Sequence, residues 1–108
     1  AHITGGGLIE NIPRILPNTM NAFIDSSSWE IPEIFTWIAR EGNVPSDEMI
    51  RTFNCGIGMV IVVSQDSANS VLHELSKHDQ NAQIIGEVVP NTNEKSNVII
   101  DNLMRLFE

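Results

Sequence analysis

The chain has 108 residues, 42% hydrophobic and 19% charged, with 14 acidic against 6 basic side chains and a formal net charge of -8. That mix excludes a disordered tail and suits one compact domain, since ~100–150 residues is the common domain size. The acidic balance and the scattered Lys and Arg argue against a nucleic-acid surface, which needs clustered positive charge. Cys55 is the single cysteine, which rules out an intrachain disulfide framework and a multi-Cys zinc site and weakly favours a reducing compartment. The longest apolar run, Met59 to Val63, is far short of the ~20 residues of a membrane helix, and the N-terminus lacks a basic-then-apolar signal pattern. The chain opens on a motif rather than on Met, so it is expected to be a piece of something longer.

In chain order, Ala1 to Gly7 is glycine-rich and reads as a loop. Leu8, Ile12, Ile15 and Leu16 have helical spacing, with Pro13 placing the regular helix start near Asn11 or kinking it there, and Pro17-Asn18 ending it. Met20 to Ile24 reads as a short strand. Ile31, Ile34, Phe35 and Ile38 form a helical stripe that Pro32 opens and Gly42 stops, and Ser46 is suited to cap a short helix carrying Met49, Ile50 and Phe53. Gly56 to Ser64 is the clearest strand, and its continuous β-branched run implies burial on both faces. Ala68, Val71, Leu72 and Leu75 repeat the helical stripe. Ile84 to Val89 and Asn97 to Ile100 read as strands joined by a hairpin loop over Pro90 to Asn97, and Asn102 to Glu108 as a last helical turn or a frayed end. The expected fold class is α+β, a small mixed or antiparallel sheet with helices packed on it, partly ferredoxin-like across Met59 to Val89.

Two segments have the composition of a ligand site. In His2-Ile3-Thr4-Gly5-Gly6-Gly7 the glycines permit positive φ and close ligand approach, the following helix start offers unpaired N–H groups, Thr4 adds a hydroxyl and His2 a general acid–base side chain. It is neither a P-loop nor a dinucleotide fingerprint. The residues alone leave two readings open, a flexible connection or an anion site. Arg51 to Gly58 joins a helix to a strand. It offers Asn54 and Arg51 to a ligand, or else is a tight turn around a buried, inert Cys55, with no neighbouring histidine to activate the thiol. Arg14 is suited to a phosphate or to a surface ion pair, and Asn11 stands beside it. His73, His78, Asp47, Glu48, Glu87 and Glu94 read as solvated, Trp29 and Trp37 as packing residues, and no metal-ligand set is expected.

The run Ala1-His2-Ile3-Thr4-Gly5-Gly6-Gly7, then Glu10-Asn11-Ile12-Pro13-Arg14 and Leu16-Pro17, resembles the C-terminal domain of the phosphoribosylformylglycinamidine cyclo-ligase (aminoimidazole ribonucleotide synthetase) family. The resemblance continues through Trp29, Pro32 and Trp37, Arg51 to Met59, and Ile85-Gly86. Relatives such as selenophosphate synthetase typically show Asp-Val-Thr-Gly at the first motif. The resemblance implies an ATP- and Mg-dependent ring closure of formylglycinamidine ribonucleotide in purine synthesis, by a cytoplasmic homodimer that binds neither nucleic acid nor membrane. It implies that residues 1–108 are most of the C-terminal domain. The N-terminal domain, which carries dimer contacts, ATP and most Mg binding, is missing, so the chain alone is expected to be inactive. Carried over residue by residue, His2 is the catalytic candidate, and Thr4, Gly5, Gly6, Gly7, Asn11, Arg14 and Asn54 are the substrate- or phosphate-binding candidates. Gly6→Val is expected to remove activity and leave the fold nearly intact. The alternatives are a sister ATP-dependent enzyme or a non-catalytic α+β module that binds an anion or dimerises. Missing sheet partners would leave apolar surface exposed, giving self-association or strand exchange.

Overall fold

The computed structural model describes residues 1–92, 95–103 and 107. Its elements are α1 (Gly7–Asn11), β1 (Met20–Asp25), α2 (Glu33–Glu41), α3 (Ser46–Thr52), α4 (Ala68–Ser76), β2 (Gly86–Pro90) and β3 (Val98–Asp101). The sheet order is β2-β1-β3, with β1 antiparallel to β2 and parallel to β3. This is the expected α+β class with a small mixed sheet.

Pro13 falls in the first turn of a 3-10 segment, Ile12–Ile15, that continues α1, where its missing N–H costs nothing. Along β1 the side chains alternate: Ala22 and Ile24 are buried and Phe23 is 40% exposed, so one face of the sheet packs. Leu8 and Ile12 from the first helical segment, Ile50 from α3, and Trp29 and Cys55 from loops complete the core against that face. Trp29 also donates from Nε1 to the Cys55 carbonyl at 3.0 Å, so the indole is buried with its polar atom satisfied.

Strands β2 and β3 lie on opposite edges of β1, so the segment between them is a crossover and not a hairpin. A parallel β1–β3 pair cannot be closed by a tight turn. The Asn21 carboxamide anchors the crossing: its Oδ1 accepts from Asn91 Nδ2 at 3.0 Å and from the Asn97 N–H at 2.8 Å. Glu94 and part of the expected C-terminal turn lie outside the described residues.

The largest departure from the sequence expectation is Gly56 to Ser64. It forms only an isolated antiparallel bridge, His2 to Met59, and the ladder stops at Val60. Met59, Ile61, Val62 and Val63 are 61%, 56%, 47% and 40% exposed. The β-branched residues keep the backbone extended, but beyond Val60 no described segment lies alongside to accept its N–H groups, so no strand forms. The ferredoxin-like unit therefore does not close. For the same reason α4 buries none of its residues, although its apolar stripe is where the sequence places it. Trp37, expected to pack, is 57% exposed on α2. Gly42 does not take the left-handed turn after α2; Asn43 does, at φ 52°. Ser46 is the first residue of α3, not its cap.

An uncharged, apolar, unpaired edge with no Pro, Lys or bulge to guard it promotes association between copies. Sedimentation velocity is expected to show concentration-dependent oligomers of the 108-residue chain that Ile61→Lys suppresses. A monomer at all concentrations would refute this.

Candidate functional site

Residues from the two sequence motifs meet at one crossing. Ile3 donates from N–H to the Gly58 carbonyl at 2.9 Å, Val60 from N–H to the Ala1 carbonyl at 2.8 Å, and His2 bridges Met59. Side chains alternate along such a segment. Ile3 turns inward, 4% exposed, while His2 and Thr4 are exposed on the opposite face.

The chain then turns through Gly6 at φ +97° and Gly7 at φ +63°. A Cβ on Gly7 would run into the Ile50 carbonyl oxygen and come to 3.0 Å from that of Phe53. The N-terminus of α1 thus rests directly on the backbone at the end of α3, a contact only glycine permits. At Gly6 the obstacle is the movable Glu10 side chain, so the backbone angle is the stronger constraint there. That angle also means Gly6→Val would strain the loop, contrary to the expectation that the fold stays nearly intact. Gly5 has nothing within 4 Å of a Cβ position and is open to solvent.

Asn11 holds the turn from inside. The residue is 4% exposed, and its Nδ2 donates to the carbonyls of Gly7, Thr4 and Gly5 at 2.8, 3.2 and 3.3 Å. Its Oδ1 accepts from the Thr4 hydroxyl at 3.1 Å. The carboxamide is thereby committed within the chain. Among main-chain donors, Gly7 N–H bonds to Thr4 O and Glu10 N–H to Gly6 O. Among the described residues no acceptor takes the N–H of Gly5, Gly6, Leu8 or Ile9.

The remaining candidates are set apart. Asn54 follows Phe53 in the Gly7 contact, and its Oδ1 accepts from Gly56 N–H at 2.9 Å, shaping the turn. Arg14 is exposed on the 3-10 segment, and its side chain has no hydrogen-bond or ion-pair partner among the described residues. Sequence reasoning found the loop but missed that Asn11 is its internal brace. The clue was present: an Asn four residues after Gly7 on the helix can reach back to that carbonyl. The described residues bring together no set of three or more His, Cys, Asp or Glu able to hold a metal. Two shallow depressions, one lined by Val44, Ser46 and Asp47 and one by Ile84, Gly86 and Asp101, share no residue with the loop, which is an open ledge.

Cys55 lies behind the ledge at 0% exposure, its thiol directed to the Met49 carbonyl at 3.5 Å, and burial pushes its pKa up to about 12. The thiol is inert at neutral pH.

An α+β domain whose glycine turn and extended opening segment lock onto the turn that follows α3 is the class defined by this geometry. Residues 1–99 match the family model described as "AIR synthase related protein, C-terminal domain", and the chain belongs to that family. It is 50% identical over its full length to the trifunctional purine biosynthetic protein adenosine-3 of Gallus gallus, covering 11% of that protein. It is 54% identical over 90 residues, 83% of the chain, to the phosphoribosylformylglycinamidine cyclo-ligase of Pseudothermotoga lettingae, covering 27% of it. The match to the cyclo-ligase of Citrifermentans bemidjiense is 53% over 88 residues, 82% of the chain and 25% of the relative. The chain therefore spans about a tenth to a quarter of the length of these relatives.

Gly7→Ala is expected to destabilise the fold by about 2 kcal/mol or more, from positive φ and the clash with Ile50, while Gly5→Ala stays within about 0.5 kcal/mol; denaturant melts read both, and equal effects would remove Gly7 from its packing role. Cys55 is expected to react with a thiol reagent at pH 8 at least tenfold more slowly in the native than in the unfolded chain. Because the folded thiol titrates higher than the unfolded one, stability should fall as pH rises from about 9 toward about 12.

Proposed function

We propose that residues 1–108 form most of the C-terminal domain of a phosphoribosylformylglycinamidine cyclo-ligase. The complete enzyme converts formylglycinamidine ribonucleotide and ATP to aminoimidazole ribonucleotide, ADP and phosphate. The observation that carries this reading is 54% identity, across most of the chain, to a protein named as that cyclo-ligase. Relatives named as purine biosynthetic proteins over the whole chain support the same pathway.

In this reading the formyl oxygen of the substrate attacks the γ-phosphorus of ATP and ADP leaves. A substrate nitrogen then attacks the activated carbon, its proton is released, and the original oxygen departs with phosphate as the ring closes. ATP supplies a good leaving group; the protein supplies alignment and charge stabilisation. Mg would neutralise phosphate charge when bound, and in this proposal it is held mainly by the N-terminal domain; the described residues here bring together no group of three or more His, Cys, Asp or Glu. His2, Thr4, Gly5 and Gly6 form the ledge that faces the nucleotide. Gly7 and Asn11 hold its shape, Asn54 shapes the neighbouring turn, and Arg14, exposed on the 3-10 segment, is the positive charge this chain offers the nucleotide. His2, exposed on the extended opening segment, is the group suited to accept the proton lost on ring closure. The ledge is open, which supports a cleft whose second wall is the other domain and no turnover by this segment alone; the complete enzyme in this reading is a cytoplasmic homodimer.

The test is rescue of a purine auxotroph lacking cyclo-ligase by the complete gene that carries this segment. Rescue by the complete gene and not by the 108-residue segment is expected. Failure of the complete gene would point to a sister enzyme, and turnover by the segment alone at full-length rates would overturn the domain assignment.

A further inference from the structure

The ledge has a polarity that the glycine-loop motif does not announce. Asn11 Nδ2 is fixed among three carbonyls, so Oδ1 is the acceptor side of the amide. Oδ1 has no hydrogen, so the 3.1 Å contact to Thr4 Oγ1 requires the Thr4 hydroxyl to donate inward. A hydroxyl has one hydrogen and two lone pairs. Thr4 is exposed, so what it presents outward is lone pairs only. A ligand oxygen that captured the hydrogen would leave Oδ1 of a 4%-exposed asparagine unpaired, a loss of about 5- to 150-fold in binding. The neighbouring charge has the same sign of preference. The Glu10 side chain lies against Gly6, with its carboxylate where a Gly6 Cβ would be. The described residues give Glu10 no ion-pair partner there.

We infer that Thr4 is a specificity-determining acceptor: with Glu10 beside the turn, it receives a hydrogen-bond donor of the nucleotide, the N–H of an amidine or amidinium group or a hydroxyl, and not a phosphate oxygen. This rests on the proposed placement of the loop against the nucleotide. It narrows the phosphate-binding candidates, because the hydroxyl that looks suited to an anion is turned the other way. Within the proposed reaction the amidine-bearing substrate is the natural source of such a donor, and ATP offers ribose hydroxyls and an exocyclic amine as the second source.

The experiment uses the complete cyclo-ligase that carries this segment, with three readouts: KM for the formylglycinamidine substrate, KM for ATP, and the affinity for inorganic phosphate by titration calorimetry. Thr4→Val is expected to raise one nucleotide KM about 3- to 10-fold and leave phosphate affinity unchanged. Which KM rises identifies the source of the donor. Thr4→Ser, which keeps the hydroxyl, should recover most of the loss. If Thr4→Val does not fold, Thr4→Cys keeps a weak inward donor but a poor acceptor, and should give the same KM rise. Weakened phosphate affinity with either variant would overturn the proposal. So would unchanged KM values for Thr4→Val in an enzyme where Gly5→Val is impaired, and in that case the loop still faces the nucleotide. Unchanged KM values for both Thr4→Val and Gly5→Val would overturn the placement of the loop itself.

Discussion

The seat of Gly7 on the Ile50 carbonyl is the contact on which the rest of the ledge depends. It fixes where the first helix crosses α3 and therefore the direction in which the chain must leave the extended opening segment. The Asn11 carboxamide then settles the path between them by binding the carbonyls of Thr4, Gly5 and Gly7. A loop of three consecutive glycines would otherwise sample many conformations, at a backbone entropy cost near 1–2 kcal/mol per residue to fix. Here the cost is offset by one buried side chain that makes four hydrogen bonds and by helix packing immediately behind it.

Much of this was legible in the residues, and the reasons are local. The stripes at Leu8–Ile12 and Met49–Ile50 contain side chains that are fully buried, because helical period and core face coincide there. The β1 segment was readable from its loose alternation between Asn and Ser clusters, and β2 and β3 from their Val and Ile residues between turn-rich stretches. The resemblance gave the family, and the family match over residues 1–99 agrees with it. By contrast, the strongest strand signal, Met59 to Val63, forms no strand, since a ladder needs a second segment and hydrophobic pattern reports only one side of the pairing. The sheet order was equally hidden: turn-rich composition between β2 and β3 looks the same for a hairpin as for a crossover.

At the ledge, composition identified the right segments and mixed two kinds of residue. His2, Thr4 and Gly5 are exposed, whereas Gly7 and Asn11 are buried parts of its foundation. Glycine gives no sequence clue to whether its missing Cβ makes room for a ligand or for the neighbouring backbone. Only the position of the Ile50 oxygen separates the two. The same holds for Asn11, whose amide could equally have pointed outward. Helical spacing fixes which face of the turn it lies on, but that face adjoins both the loop and the solvent.

The Thr4–Asn11 link has a consequence for how this sequence can drift. Asn11 must give and receive at the tip of one short side chain, and Thr4 must supply the hydrogen it receives. Aspartate lacks the donor, leucine lacks both functions, and glutamine reaches a methylene too far. Serine is the conservative replacement that keeps the hydroxyl at position 4. The two positions are therefore coupled: serine apart, a replacement at position 4 strands the buried Asn11 oxygen, and a replacement at position 11 releases the three loop carbonyls as well.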